Sequence, residues 1–195
     1  MAVMTQVKIN NEEILSQQKT VLKKVDFSIR QTNGEWQQQA REVFDHGDAV
    51  TALLYNKERG TVLLTRQFRI ATYLNGNADG MLLEACAGLL EEGETPEETM
   101  RREIAEETGY EVNELTKLFE AYSSPGAYKE RVHYFTAAVS DSQKKSEGGG
   151  LAEEGEDVKL VEIPFAKALQ MVTAGEIRDA KTIVLLLYAQ ANNLL

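Results

Sequence analysis

Several features are scarce or absent in this chain of 195 residues, and each absence excludes a class of protein. Cys86 is the one cysteine, so an internal disulfide cannot form and a reducing compartment is expected. No apolar run approaches the ~18 residues of a membrane-spanning helix. The N-terminus also lacks the basic-then-apolar pattern of a secretory signal. We therefore expect a cytoplasmic protein with no membrane partner.

The two usual phosphate-binding loops and an excess of basic residues are also missing. There is no Walker loop, and no GxGxxG follows a predicted strand. The formal net charge is −10, which argues against a nucleic-acid partner because non-specific binding to nucleic acid needs basic patches. If the substrate is a phosphate ester, both partners are anionic. Bound divalent metal ions would resolve that repulsion, because they become the largest local charges.

The composition and turn signals predict a core domain with an N-terminal extension. An apolar fraction of 43% is enough for a real core, which we assign to residues 48–195. In residues 1–47, Asn33-Gly34 is a hairpin signal between two strand-like segments, so an antiparallel extension is expected. Two or three strands cannot bury both faces alone and need a partner surface.

The remaining periodicity predicts an α+β fold, most simply a mixed-sheet α/β/α sandwich, because strands and helices do not alternate regularly. Cys86, in an apolar run, is expected to be a small buried side chain. The second C-terminal helix is expected to bury Ile183, Leu186, Leu187 and Ala191. The predicted strands are 49–55, 61–69, 81–87, 115–123, 132–139 and 159–163, and the C-terminal helices are 165–173 and 179–192.

The most informative segment, residues 88–110, encodes a helix with clear ends. Thr95 is a good N-cap, Pro96 suits the first helical position, and Glu98 completes a capping box. Gly109 stands where a left-handed C-terminal stop belongs. The segment thus predicts a helix that begins after Thr95 and ends before Gly109.

Three carboxylates are crowded on one face of this helix. Glu103, Glu106 and Glu107 are spaced i, i+3, i+4, so their side chains share a face and repel one another. A well-solvated acidic face would tolerate this, and so would divalent cations between the carboxylates. Mg²⁺ prefers oxygen ligands at ~2.1 Å, and Mn²⁺ can substitute for it. Glu103 and Glu107 can bridge such ions, Glu106 can take a second position, and the backbone carbonyl near Ala87 is a plausible further ligand.

A second acidic segment offers a general base. The loop 140–156 contains Glu153, Glu154 and Glu156, any of which could accept a proton from an attacking water. The triple glycine 148–150 in this loop suggests that it could close over bound substrate. A merely solvated acidic loop is the alternative.

The segment 88–110 also resembles the Nudix box. The family pattern is Gly, five residues, Glu, seven residues, and then Arg-Glu-aliphatic-x-Glu-Glu-x-Gly followed by an aliphatic or aromatic residue. The pattern is filled without departure by Gly88, Glu94, Arg102, Glu103, Ile104, Glu106, Glu107, Gly109 and Tyr110. The chain therefore resembles the Nudix hydrolases, and Glu94 and Arg102 are expected to fix the loop to the helix.

Beyond the box, the chain is similar to one branch, the bacterial GDP-mannose pyrophosphatases, which are relatives of the ADP-ribose pyrophosphatases. The segments that carry this likeness are 66–69, 75–77, 84–89, 122–126, 148–150 and 175–179 with Lys181. The resemblance implies Mg²⁺-dependent cleavage of GDP-mannose to GMP and mannose 1-phosphate. The alternatives are ADP-ribose cleavage to AMP and ribose 5-phosphate, and a non-catalytic module that senses a nucleotide. The resemblance also implies a homodimer in which the N-terminal strands are exchanged between subunits.

The resemblance further implies roles for individual residues. Metal ligands would be the Ala87 carbonyl, Glu103, Glu107 and Glu156. Arg69 would contact the diphosphate, where its forked guanidinium suits phosphate oxygens. The other substrate-binding residues implied are Arg41, Glu42, Gly88, Leu89, Glu130 and Lys181.

The chain departs from the family pattern in two places. Lys19 stands where a relative has an aromatic residue that can stack on the base, which leaves the base preference open. Trp36 or Tyr128 could replace that ring. An insertion in the 151–156 loop makes Glu154 an alternative to Glu156 as ligand or base.

Overall fold

The computed structural model describes residues 6–151, 153 and 155–195, and its contacts divide the chain into two compact units. The N-terminal unit comprises the chain through Asp48 together with Tyr122–Arg131. Its sheet has three antiparallel strands in the order β1-β2-β3. These strands are β1 (Val7–Gln17), β2 (Val21–Arg30) and β3 (Trp36–Asp45). The expected antiparallel extension is therefore present.

The N-terminal sheet leaves apolar side chains uncovered within this unit. All residues of β1 are exposed, and the large apolar ones among them are Val7, Ile9, Ile14 and Leu15. The segment 122–131 joins the unit through backbone bonds to the end of β3. The Phe44 N–H donates to the Ala127 carbonyl at 2.9 Å, and the Lys129 N–H donates to the Phe44 carbonyl at 2.9 Å. The predicted N-terminal extension, residues 1–47, did not include the segment 122–131, which belongs to this unit in the structure.

The second unit is built on a seven-stranded mixed sheet. Its central path runs β10-β5-β4-β9-β8, with β6 paired to β5 and β7 paired to β4. β4 pairs with β9 in parallel and with β5 and β7 antiparallel. The strands are β4 (Ala49–Asn56), β5 (Thr61–Phe68), β6 (Met81–Glu84), β7 (Cys86–Leu89), β8 (Thr116–Tyr122), β9 (Arg131–Ala138) and β10 (Lys159–Pro164).

Helices cover both faces of this sheet. The helices are α1 (Ile70–Leu74), α2 (Pro96–Thr108), α3 (Phe165–Thr173) and α4 (Ala180–Ala191), and a short 3₁₀ turn spans Asp141–Gln143. On one face, α2 buries Met100 and Ile104 against a cluster that includes Leu54 and Phe135. On the other face, α3 and α4 pack on a cluster that includes Leu53. Because alternate residues of β4 enter the two clusters, β4 is buried along its whole length, and the predicted α/β/α sandwich is confirmed.

Three local predictions need correction. The strand predicted over 81–87 is two strands, because β6 pairs with β5 whereas β7 pairs with β4. The helix α1 was not predicted. In α4 the buried residues are Thr182, Leu185, Leu186 and Ala189, so Leu187 and Ala191 were wrongly assigned to the core.

The orientation of α4 has a tertiary cause. Apolar residues surround the helix from 183 to 188, so periodicity cannot select a face. The Thr182 hydroxyl accepts the Ala85 N–H at 2.7 Å and donates to the Asp179 carboxylate at 2.7 Å. These bonds turn Thr182 inward and rotate Leu187 to the surface. No helix in the described part of the chain is long and apolar enough to cross a membrane.

Candidate active site

The helix α2 begins and ends as its sequence predicts. The Thr95 hydroxyl accepts the Glu98 N–H at 3.3 Å, and the Glu98 carboxylate accepts the Thr95 N–H at 2.8 Å. Pro96 is the first helical residue, and Gly109 closes the helix with a φ of 74°. Both ends are therefore set by local bonds.

Two of the three carboxylates clustered on α2 are turned toward strand β7. Glu107 is buried, and its Oε2 accepts the Ala87 N–H at 3.3 Å. The Glu103 carboxylate lies against Gly88, whose missing side chain makes the room for it. The helix thus presents two acids to the same short strand, and that strand also carries Ala87, Gly88 and Leu89.

Burial keeps both carboxylates from ionising easily. It raises the pKa of Glu107 to about 8, an effect that the Cys86 thiol opposes and the charges of Glu103 and Glu156 increase. Burial also raises the pKa of Glu103 to about 7, although the adjacent Arg102 guanidinium lowers it in part. The thiol of Cys86 is fully buried, as expected, and its pKa lies well above the ordinary value for the same reason. Carboxyl groups whose pKa is raised by burial and neighbouring charge are candidates for a functional site.

Arg102 connects the box carboxylates to the preceding loop. Its guanidinium lies 3.0 Å from carboxylate oxygens of both Glu103 and Glu106. It also lies 3.2 Å from Glu91 and 3.3 Å from Glu94 in the loop before α2. This arrangement agrees with the expected role of Glu94 and Arg102, and it shows that the Glu106 side chain is held by an internal partner.

The triple glycine is attached to the end of α2. The Gly149 N–H donates to the Glu107 carbonyl and the Gly150 N–H to the Glu106 carbonyl, each at 3.0 Å. A Cβ on Gly148 would lie 2.5 Å from the Glu107 carbonyl oxygen. All three glycines have positive φ, a backbone conformation that favours glycine, and Gly148 also lies in close contact with the backbone of α2.

The attachment carries Glu156 toward the same carboxylates. Its Oε2 accepts the Leu151 N–H at 3.0 Å, and its own N–H donates to the Leu151 carbonyl at 3.2 Å. The charge of Glu156 contributes to the raised pKa of both Glu103 and Glu107. Glu153 is exposed. Glu154 lies outside the described residues.

Two predicted substrate-binding cations, Arg69 and Lys181, meet at one acid that the sequence analysis did not single out. The Arg69 Nε donates to Glu84 Oε2 at 2.8 Å, and Lys181 Nζ lies 3.8 Å from Glu84 Oε1. Lys181 also donates to Asp179 at 2.7 Å. The available signal was a single acid, Glu84, inside the apolar run from Met81 to Leu90.

The predicted residues Arg41, Glu42 and Glu130 lie in the N-terminal unit. Arg41 and Glu42 are exposed on β3, and Arg41 donates to the Ala40 carbonyl at 2.7 Å. Glu130 lies 3.5 Å from His46 Nε2 and is largely covered.

Both candidate rings for the missing aromatic position also lie in the N-terminal unit. Trp36 is partly exposed, and the Lys8 ammonium lies 4.4 Å from its ring centroid. Tyr128 packs against Phe44 with ring centroids 5.1 Å apart.

The donor set fits a hard divalent cation. Within residues 6–151, 153 and 155–195, no three histidine, cysteine or acidic side chains are already gathered around one metal position. Glu107 is nevertheless buried and Glu103 partly buried, on neighbouring turns of α2. The charges of Glu103 and Glu156 raise the pKa of Glu107, and those of Glu106 and Glu156 raise the pKa of Glu103. Such a pair is stabilised by a cation, and oxygen ligands favour Mg²⁺ or Mn²⁺.

Comparison with known families decides the relationship. The model of the NUDIX domain matches residues 45–185 of this chain. The chain belongs to the Nudix family. A second model, the GDP-mannose pyrophosphatase NudK N-terminal domain, matches residues 6–44 of this Nudix protein. The predicted resemblance and the prediction of a Nudix pyrophosphatase, a hydrolase, are confirmed.

Curated relatives match this Nudix protein over nearly its whole length. A GDP-mannose pyrophosphatase of Salmonella paratyphi B is 49% identical over 184 residues, which cover 94% of this chain and 95% of the relative. A GDP-mannose pyrophosphatase of Escherichia coli (strain SMS-3-5 / SECEC) is 47% identical over 190 residues, covering 97% and 98%. A crystal structure of an ADP compounds hydrolase superposes with a TM-score of 0.73 over 97% of both chains at 20% identity, which supports the fold.

Proposed function

We propose that this protein hydrolyses the diphosphate of GDP-mannose to GMP and mannose 1-phosphate, with Mg²⁺ as its cofactor and Mn²⁺ as a substitute. The observation that carries the proposal is the extent of the likeness. GDP-mannose pyrophosphatases are 47–49% identical over at least 94% of the chain, and the N-terminal residues 6–44 match the NudK N-terminal model. The likeness therefore includes the part of the chain that differs from a generic Nudix domain.

The metal would be held by oxygen atoms around β7 and α2. The ligands are Glu103, Glu107, the Ala87 carbonyl and Glu156, with Glu106 as a further candidate. When bound, Mg²⁺ supplies Lewis-acid activation of water and offsets the charge of the diphosphate. Glu107, buried with a pKa of about 8, holds a proton in the metal-free protein at neutral pH and gives it up when a cation is present.

Glu156 is our candidate for the general base. The Leu151 N–H holds its Oε2 at 3.0 Å, which orients the carboxylate and leaves Oε1 to accept a proton from the attacking water. Glu154 remains an alternative base. Arg69 and Lys181 would contact the diphosphate, the backbone at Gly88 and Leu89 would approach it, and Arg41, Glu42 and Glu130 would contact the nucleotide or sugar.

ADP-ribose hydrolysis to AMP and ribose 5-phosphate is the second candidate. It is kept because exposed Lys19 replaces the aromatic residue that could stack on the base. A panel of GDP-mannose, ADP-ribose and other nucleotide sugars, with products identified by mass spectrometry, tests both. We expect GMP and mannose 1-phosphate from the preferred substrate. Preference for ADP-ribose by kcat/KM would select the second candidate, and an intact panel in the presence of Mg²⁺ would contradict both.

Two further measurements address the cofactor and the attacked atom. Chelation by EDTA should abolish turnover, and added Mg²⁺ should restore it. Hydrolysis in ¹⁸O-labelled water identifies which phosphorus is attacked, because the label appears in only one of the two products. Undiminished turnover in EDTA would contradict the metal assignment.

We also propose that the protein works as a homodimer that exchanges its N-terminal strands. The support is the exposed apolar series on β1, since an uncovered sheet face needs a partner. Light scattering coupled to size-exclusion chromatography should report about twice the 21.8 kDa of one chain. A stable 21.8 kDa species with full activity would contradict this.

A further inference from the structure

We propose that Glu84 is a positioning residue that orients Arg69 and Lys181 for the substrate diphosphate. The inference rests on the proposed hydrolysis of a nucleotide sugar and deepens it. Glu84 ends strand β6 and contacts one of the two cations with each of its carboxylate oxygens. It would act through its two partners and would not touch the reacting atoms.

The geometry of Arg69 suits an oriented phosphate ligand. Among the described residues, its side chain bonds to Glu84 through Nε alone, at 2.8 Å. Both terminal nitrogens are left to form the planar fork that binds phosphate oxygens. The Glu84 side chain is 5% exposed, whereas that of Arg69 is 41% exposed. A fixed, buried acid thus holds a cation whose side chain is partly open to solvent.

Lys181 completes the arrangement from another element. It lies in the first turn of α4, and its ammonium lies between Glu84 at 3.8 Å and Asp179 at 2.7 Å. Burial would raise the pKa of the Asp179 carboxyl, but the Lys181 ammonium and the Thr182 bonds hold it below its ordinary value. Burial would lower the pKa of Lys181, but Asp179 and Glu84 keep it raised, so the ammonium stays charged.

The cluster of Glu84, Asp179, Arg69 and Lys181 is neutral as a whole, so net charge does not draw the diphosphate to it. Its two carboxylates balance its two cations, Arg69 and Lys181. A diphosphate that binds here meets no net positive charge, so its recognition depends on donors pointed in the right direction. Because the Arg69 side chain is 41% exposed, its ion pair with Glu84 is a weak source of stability, which favours a role in the site over a role in folding.

The cluster is anchored to the strand that leads into the candidate metal site. The Ala85 N–H, next to Glu84, donates to the Thr182 hydroxyl at 2.7 Å, and Thr182 bonds Asp179 at 2.7 Å. Glu84 and Ala87 are three positions apart, a reach of about 10 Å along an extended chain. One continuous segment therefore places both the oriented cations and the Ala87 carbonyl.

A double-mutant cycle between Glu84 and Arg69 tests the proposal. Glu84→Gln keeps the side-chain shape but removes the charge. Its amide has one oxygen and one NH₂ group, so one of the two cations faces a donor in place of an acceptor. We expect kcat/KM for the preferred nucleotide sugar to fall at least tenfold in Glu84→Gln and in Arg69→Gln. The double variant should lose less than the product of the two single losses, because Glu84 acts partly through Arg69 and partly through Lys181. Independent effects would multiply, and a multiplied loss or an E84Q enzyme within twofold of wild type would overturn the proposal.

Glu162→Gln is the matched control. Glu162 is another paired carboxylate of the same sheet, bound to Arg59 at 2.7 Å, and it belongs to no proposed site. The Glu162→Gln variant should lose a comparable ion pair and keep the kcat/KM of the wild-type enzyme. The Mg²⁺ concentration for half-maximal activity should be unchanged in Glu84→Gln. A rise of tenfold or more would mean that Glu84 supports the metal site, which would overturn the assignment to the cations.

Two additions keep the test decisive. If Glu84→Gln does not fold, Arg69→Lys replaces it, since lysine keeps the charge but lacks the Nε that Glu84 holds. We expect Arg69→Lys to be as impaired as Arg69→Gln, and wild-type activity would refute the proposal.

If the wild-type protein hydrolyses none of the panel, the proposed function fails by itself. Calorimetric titration with inorganic pyrophosphate and Mg²⁺ then replaces turnover, with a tenfold weaker affinity expected in Glu84→Gln and an unchanged affinity counting against it.

Discussion

The Cα of Gly88 lies directly against the carboxylate of Glu103, so that a Cβ at position 88 would overlap the carboxyl carbon and Oε1 of Glu103. The backbone of Gly88 is not in the left-handed region. The glycine is therefore required by close approach and not by backbone conformation. Strand β7 and helix α2 can come this near only because position 88 has no side chain, and this nearness brings the Glu103 carboxylate against the backbone of β7.

Gly88→Ala should inactivate the enzyme with a modest loss of stability. The added methyl group displaces Glu103 from β7, so we expect kcat/KM to fall by about 100-fold or more. The free energy of unfolding should fall by about 1–3 kcal/mol, as for other overpacked sites. Gly126→Ala is the control, because Gly126 has ordinary φ and open space around it. Equal activity of the two variants in a steady-state assay would contradict this account of Gly88.

Glu107→Gln should lower turnover by several orders of magnitude and leave the fold intact. The amide can still accept the Ala87 N–H but cannot supply a negative charge to a cation. Glu111→Gln, an exposed acid just beyond α2, should behave as wild type. Circular dichroism and steady-state kinetics measure both effects. Near-normal turnover in Glu107→Gln would remove Glu107 from the site.

The raised pKa values predict that the metal-free protein loses stability as pH rises. Unfolding returns Glu103 and Glu107 to an ordinary pKa near 4.5, whereas in the folded protein their values are about 7 and about 8. Between these limits the folded state binds more protons than the unfolded state, so the free energy of unfolding falls with increasing pH. The loss continues as the pH rises through the folded pKa of Glu107, about 8.

Thermal unfolding in EDTA at pH 5.5 and pH 8.5 measures this loss. We expect the Tm at pH 8.5 to be lower by at least about 5 °C, with Mg²⁺ recovering most of the difference because it binds the ionised carboxylates. Glu107→Gln should show a smaller decrease, since it removes one of the two groups. A Tm that rises with pH in EDTA would be the opposite of this result.

Gly150→Ala should weaken Mg²⁺ binding through Glu156. A Cβ at Gly150 would lie 2.5 Å from Glu156 Oε2 and 2.8 Å from Glu156 Cβ, so the carboxylate must move. We expect about a tenfold rise in the Mg²⁺ concentration for half-maximal activity, within the range for a disturbed ligand support. Gly155→Ala is the matched control. Its φ of 76° is close to the 77° of Gly150, but nothing lies within 4 Å of its Cβ position.

The two loop variants separate backbone strain from displacement of the carboxylate. Both alanines are placed at unfavourable φ and should destabilise the protein by about 1 kcal/mol. Only Gly150→Ala should change the Mg²⁺ requirement. An equal shift in both variants would mean that loop strain, and not the position of Glu156, controls metal binding.

Local signals in the sequence were sufficient for the helix α2 and its ends. Thr95, Pro96 and Glu98 act through bonds within one turn, and Gly109 acts through its own backbone conformation. The spacing of Glu103 and Glu107 likewise places them on one face of any helix. Family membership also followed from the sequence, since it depends on residue types at fixed separations.

The sequence could not specify which distant segments meet. Periodicity left α4 free to turn, and the bond between Ala85 and Thr182, 97 positions apart, selected its buried face. The same long-range approach brought Glu84 between Arg69 and Lys181 and attached the triple glycine to α2. Contacts of this kind depend on how strands and helices pack, and the packing energy is summed over many residues. The sequence by itself therefore determined the chemistry of the side chains and the local helix, whereas only the tertiary structure decided which of them act together.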